Sequence, residues 1–181
     1  MVKSGKTVFL LLFALLMTAR TACAQDVALK TNSLYWAAAT PNIGVEIGLS
    51  PKWTLDLGGA YKPFNIKDDR YARFWLVQPE ARYWFCEKFE GHFVGLHAHA
   101  AQFYSGWNGT IYDGYLAGGG VTYGYDWILS PHWNLEAAVG VGYARLWYDK
   151  MPDGPCVKCT EDEFRNYFGV TKLALTFSYI F

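Results

Sequence analysis

Beyond residue 24, apolar and polar residues alternate with a period of two over most of the chain, and a 3.6-residue period is almost nowhere sustained. Successive side chains of a strand point to opposite faces, so this alternation predicts strands with one apolar face. Eight strands are expected: Val27 to Ala38, Ile43 to Leu49, Trp53 to Tyr61, Arg73 to Phe85, His92 to Tyr104, Tyr115 to Leu129, Trp133 to Trp147, and Gly169 to Phe181. Ser50-Pro51-Lys52, the stretch around Glu87 to Gly91, and Ser130-Pro131-His132 read as tight turns. Lys62 to Ala72, Ser105 to Gly114 and Tyr148 to Phe168 read as long loops, with a short first hairpin at Thr40-Pro41-Asn42. An even strand number, with short turns at one end and longer loops at the other, is the arrangement of an outer-membrane barrel. The expected fold is therefore all-β: an eight-stranded antiparallel transmembrane β-barrel with both termini periplasmic.

The two faces of each strand differ in kind. In the seventh, Trp133, Leu135, Ala137, Val139, Val141 and Tyr143 oppose Asn134, Glu136, Ala138, Gly140, Gly142 and Ala144. The third sets Trp53, Leu55, Leu57 and Tyr61 against Thr54, Asp56, Gly58 and Ala60, and the last sets Leu173, Leu175, Phe177, Tyr179 and Phe181 against Lys172, Ala174, Thr176, Ser178 and Ile180. The ten residues from Trp133 to Tyr143 span about 33 Å of strand, or roughly 25 Å of height at the usual tilt, the apolar band between aromatic girdles. The rival is a soluble lipocalin-like ligand-binding barrel, with the apolar face inward. Its outer surface would then be mostly Gly and Ala with few charges, a poor basis for solubility.

An internal repeat aligns with these strands. Residues 49–56 read LSPKWTLD and residues 129–136 read LSPHWNLE, so the third strand corresponds to the seventh. Either duplication of a half-barrel or a shared hairpin requirement accounts for it.

Residues 1–24 read as a cleaved signal peptide: Lys3 and Lys6 form a positive segment, Val8 to Met17 is almost wholly apolar, and Ala22-Cys23-Ala24 fits a small-x-small cleavage site. The barrel is then residues 25–181. Lipidation at Cys23 is the alternative, against which Arg20 stands where an aliphatic residue is usual. The apolar run is nearer ten residues than the ~18–20 of a spanning helix, so any membrane crossing must be made by strands.

Composition narrows the function classes. Aromatic and charged residues each make up 18% of the chain, which excludes disorder. The net charge is zero over 181 residues, and without the signal peptide it becomes thirteen basic against sixteen acidic side chains. Such a balance has no basic excess to neutralise phosphates, so no nucleic-acid partner is expected.

The stretches LKTNSLYWAAATPNIGVEIGLSPKWTLDL, QPEARYWFCEKFEGHFVGLH and GYDWILSPHWNLEAAVGVGYARLWYD, with the late CVKC, resemble the uncharacterised outer-membrane β-barrel proteins of Bacteroidetes. That family is a domain of unknown function with some members encoded near fimbrial genes. The resemblance covers nearly all of residues 25–181 and implies a barrel in the cell outer membrane, with a surface or fimbrial protein as a possible partner. It brings no chemistry with it.

Candidate chemistry falls on the small, polar face. If the parity holds, Glu46, Asp56, Gln78, Glu80, Arg82, His97, His99, Asp126, Glu136 and Lys172 point inward, with Lys30 and Asn32. An eight-stranded barrel is just wide enough for side chains to fill, and buried charges must be paired. A lumen charge network is therefore expected, with Arg82 and Lys172 near carboxylates. A proton or ion path through His97 and His99 is the functional alternative; their i, i+2 spacing also suits a metal, but no third ligand is identifiable.

Cys156 and Cys159 form a C-x-x-C in the longest loop and are expected to close a loop disulfide in an oxidising compartment. Zinc would need two further ligands, and a redox motif would need a thioredoxin-like helix. Cys86 is left unpaired. Phe177, Tyr179 and Phe181, on one face at the C-terminus, resemble the signal read by the barrel assembly machinery of bacterial outer membranes. A lipid-modifying outer-membrane enzyme is the catalytic alternative, but Ser105 lies six residues from His99, about 20 Å along a strand, and no Ser-His pair emerges. The expected function is non-enzymatic and without cofactor. It is that of a monomeric barrel in outer-membrane lipid with a side-chain-filled lumen, displaying extracellular loops in a structural or surface-interaction role.

Overall fold

A computed structural model of the protein describes residues 27–63, 65–67, 70–107, 110–152 and 160–181. The residues assigned to the signal peptide, Cys23, Cys156 and Cys159 lie outside the described residues. The elements are β1 (Val27–Asn32), α1 (Ser33–Ala37), β2 (Asn42–Ser50), β3 (Trp53–Lys62), β4 (Asn65–Lys67), β5 (Arg70–Trp84), β6 (Gly91–Trp107), β7 (Thr110–Ile128), β8 (Trp133–Pro152) and β9 (Thr160–Ile180). Each strand pairs antiparallel with the next around the sheet, β3 also pairs with β5, and β1 pairs with β9. Eight strands thus close a ring, with β4 a three-residue ribbon beside the start of β5. Closure leaves no sheet edge around the barrel. Among the described residues no helix is long and apolar enough to cross a membrane.

The turns Ser50 to Trp53, Trp84 to Gly91 and Ile128 to Trp133 lie at the end of the ring that also holds Val27 and Phe181, whose amide donates to the Val27 carbonyl at 3.0 Å. We call this end the base. The internal repeat sits here twice, and its two strands, β3 and β8, are third and seventh of eight around the ring. They are therefore on opposite walls.

Two expectations are corrected. The first strand was expected to reach Ala38, but it ends at Asn32, whose side chain caps α1 by accepting from the Leu34 amide at 3.0 Å. Its Nδ2 also donates to the Leu173 carbonyl, and the Asn42 side chain binds both the amide and the carbonyl of Asn32. The helix closes with Thr40 donating to Tyr35 and Ala39 to Trp36, a Schellman ending with Ala39 at φ 51°. Local capping overrides the apolar run Leu34-Tyr35-Trp36.

The second correction concerns the long loops. Much of Lys62 to Ala72, Ser105 to Gly114 and Tyr148 to Phe168 is strand: β6 runs to Trp107, β7 starts at Thr110, β8 runs to Pro152, and β9 starts at Thr160. Cross-strand hydrogen bonds continue where the apolar alternation stops, because a hairpin needs backbone pairing and not an apolar face. At about 3.3 Å per residue and the usual tilt, the 21 residues of β9 rise roughly 50 Å, about twice a 25 Å band. By contrast β1 has six residues and β2 nine. The ring is therefore low at β1 to β3 and tall from β5 to β9.

Candidate functional site

Burial alternates along the strands so that the charged and small residues face the lumen and the large apolar ones stay exposed outside. Glu46, Asp56 and Glu80 lie directly opposite one another in register across β2, β3 and β5. Like charges so placed repel, and cations from other walls compensate them. Lys30 Nζ lies 2.7 Å from Glu46 and 2.6 Å from Glu136, Lys172 pairs with Glu80, and Arg82 sits at the centre. The Arg82 guanidinium is 2.8 Å from Glu46, 2.7 Å from Asp56, 3.4 Å from Glu80 and 2.7 Å from Glu136. Asp56 and Glu136 are the equivalent acidic residues of the two repeat copies. Arg82 therefore ties the two opposite walls that carry the repeat.

Small neighbours make room for the network. A Cβ added at Gly95 would lie 2.1 Å from Glu80 Oε1, so only glycine leaves that carboxylate its position. Thr54 hydrogen-bonds Glu46 and accepts from Trp84 Nε1 at 2.9 Å, which links the network to the base. A cavity of about 60 Å³, lined by Lys30, Asp56, Arg82, Glu136 and Lys172 among others, lies beside the charges and has room for water. Tyr35 of α1 borders it, and burial pushes its phenol above the usual tyrosine value.

Below the charges the lumen is packed with aromatic rings. Trp84 and Phe93 are fully buried with ring centroids 4.8 Å apart, and Arg82 lies 4.5 Å above the Phe93 ring. Phe89, from the turn before β6, folds its ring into the base against Trp84 at 6.2 Å. It has φ 65°, which is uncommon for a bulky residue, and its carbonyl accepts from Asn134 Nδ2 at 2.7 Å. Asp126 stands apart from the cations, directly opposite Glu136 in the β7–β8 ladder, and its Oδ1 has no hydrogen-bond partner among the described residues.

Above the charges stand the histidines, with ring centroids 5.7 Å apart. His97 is held at both nitrogens, by Thr122 at 2.8 Å and by Thr171 at 2.9 Å. Thr171 reaches it from a bulge: Gly140 pairs with Lys172 and Val141 with Val170, which leaves Thr171 as the extra residue. His99 is buried, and its Nδ1 has no partner among the described residues. Among those residues no group of three His, Cys, Asp or Glu side chains is placed to hold a metal ion. Higher still, the concave face of the tall wall encloses a second cavity of about 730 Å³, largely apolar.

The remaining singled-out residues face outward or lie at the base. Phe177 and Phe181 are exposed, and Tyr179 contacts Trp133 and Phe181 edge-on at 5.1 and 5.0 Å. Cys86 is a free, exposed thiol at the base turn. Trp84 and Phe93 were not among the expected inward residues, although they share the parity of Arg82 and His97 that could have found them. Phe89 carried no period at all, and Thr171 lies one residue off the inward set that begins at Lys172.

A search of the curated proteins returns no match. Residues 8–181 match the model of the family described as “Protein of unknown function (DUF3575)”. With nearly the whole chain covered, the protein belongs to that family.

Proposed function

We propose that the protein is an integral outer-membrane barrel, monomeric, with both termini on the periplasmic side and a structural or surface-interaction role carried by the hairpins it raises outside the cell. The single observation behind this reading is the outer belt. Val45, Ile47, Leu57, Val77, Leu96, Val121, Val139 and Leu173 are exposed around the ring. Aromatic residues flank them at the base (Trp53, Tyr83, Trp127, Trp133) and above (Tyr61, Trp75, Tyr115, Tyr143). Such a surface is costly in water and suited to lipid between two interfaces. A lipocalin-like barrel would direct that face inward, where this ring carries charges.

The catalytic alternative, a lipid-modifying enzyme, finds little support, because both His97 nitrogens already bond threonine hydroxyls. On this reading outer-membrane lipid surrounds the belt, the barrel assembly machinery reads Phe177, Tyr179 and Phe181, and a surface or fimbrial protein meets the β6–β7 and β8–β9 hairpins. The first test is electrophoresis of outer-membrane fractions, in which unheated protein should migrate differently from boiled. Protein found soluble in the periplasm with no heat-dependent shift overturns the reading. For orientation, Asp149→Cys should react with an impermeant maleimide on intact cells and Lys52→Cys should not, in a background with Cys86, Cys156 and Cys159 replaced by serine. Labelling at Lys52→Cys alone would invert the topology.

A further inference from the structure

The upper cavity opens at the tall end of the lumen and has a chemical character of its own. Its walls are formed by inward residues of β5 to β9, chiefly Phe74, Phe103, Leu116, Leu146 and Tyr167, above a floor that includes His99 and Ala101. At about 730 Å³ it lies within the ~300–1,000 Å³ usual for small-molecule sites, which are mostly apolar with a few polar groups that fix orientation. One charged side chain lines it, Arg165, with no carboxylate among the lining residues. The cations of the charge network below it, Lys30, Arg82 and Lys172, are paired with carboxylates, and Lys62 on the opposite wall donates to the Ala38 carbonyl. Arg165 has neither an ion pair nor a side-chain hydrogen bond among the described residues, and it is exposed.

The vertical order matters. Arg165 pairs with Leu146, above Tyr167 opposite Ala144, and both stand above the Thr171 bulge. The cation is thus near the mouth and the apolar walls extend below it toward Ala101 and His99. We propose that this cavity binds a single-chain amphipathic anion of the fatty-acid class, its carboxylate on the Arg165 guanidinium and its chain lying down the lumen among Phe74, Phe103, Leu116 and Leu146. An uncharged apolar ligand would leave Arg165 unused, and a cationic amphiphile would place like charge beside it. A ligand with a charged tail end would place that charge among Leu76, Ala101 and Leu116, with the His99 imidazole as the polar group there, and a buried charge without an ionic partner is costly. The passage stops at the ion network, so the site holds a ligand and does not conduct it. The inference does not depend on the surface-interaction role.

The test uses the full-length barrel in lipid nanodiscs and carboxyl-¹³C-labelled decanoate, with empty nanodiscs giving the partitioning baseline. A saturable bound signal at one ligand per barrel is expected, undiminished by excess decyltrimethylammonium. Arg165→Gln should weaken binding about tenfold, the loss of one charge-assisted hydrogen bond. Ala101→Trp and Leu146→Trp, which fill the cavity from different strands, should abolish it while retaining the heat-dependent gel shift that reports a folded barrel. Signal no greater than in empty nanodiscs, unchanged affinity in Arg165→Gln, or full binding by either folded tryptophan variant overturns the proposal.

Discussion

Arg82 shows how one side chain can hold a lumen together. Three carboxylates stand side by side on adjacent strands and a fourth faces them, and the planar guanidinium meets all four. Replacing one partner of a buried ionic cluster strands the others, so Arg82→Met should cost about 3–5 kcal/mol in urea unfolding from lipid vesicles. Arg82→Lys, which keeps the charge but not the fork, should cost less; equal losses would show that geometry and not charge is decisive. Two non-glycine residues at positive φ among the described residues, Ala39 and Phe89, should respond oppositely to glycine. Ala39 ends α1 and contacts no core, so Ala39→Gly should stabilise by up to about 1 kcal/mol. Phe89→Gly relieves the same backbone but removes a buried ring, with a net loss of about 3 kcal/mol or more. The same unfolding measurement checks both.

Among the elements, β9 is the instructive case. Its lower half follows strict alternation from Lys172 to Ile180, and its upper half presents Gly169, Tyr167 and Arg165 inward, with Thr171 inserted between. Deleting Thr171 therefore leaves both halves in register and removes only the hydroxyl that holds His97. The deletion variant should still fold, as judged by the heat-dependent gel shift, at a loss of about 1 kcal/mol. Deleting Leu175 from the regular ladder should prevent assembly, since a slip of one residue turns every side chain on one side of the deletion to the opposite face. Assembly failure in both would mean that the bulge itself sets the barrel's shear. Close approach of β7 and β8 is likewise fixed locally: a Cβ at Gly118 or Gly120 would lie 2.2–2.3 Å from a carbonyl oxygen of β8.

At the scale of the whole molecule, the barrel is inside-out relative to a soluble one, with a charged, closed interior and an apolar exterior. Val139 is exposed on the outer belt and Ala138, its neighbour, is buried in the lumen. In a bilayer Val139→Arg should cost about 2–4 kcal/mol, and Ala138→Ser should be nearly neutral, as read by folding into vesicles. Equal tolerance of both changes would count against membrane insertion of this belt. The unequal wall heights give the molecule its second property, since the tall strands from β5 to β9 enclose the upper cavity while β1 to β3 end early beneath α1.

Period-two alternation in the sequence determined the eight-strand count, the antiparallel ring and which residues of Trp133 to Tyr143 face each way, because a strand has only two faces and a one-residue error reverses both. It also placed Glu46, Asp56, Glu80, Arg82 and Glu136 on one side. What it could not convey is distance across the ring. That Arg82 joins Asp56 and Glu136 depends on ring closure, which sets the third and seventh strands on opposite walls. Nor did the sequence show where strands end: capping by Asn32 cut β1 short, and backbone pairing carried β6 to β9 beyond their apolar pattern. The cavity at Arg165 exists only because those extended strands curve together, a consequence of hydrogen bonding between segments far apart in the chain and not of any residue's local preference.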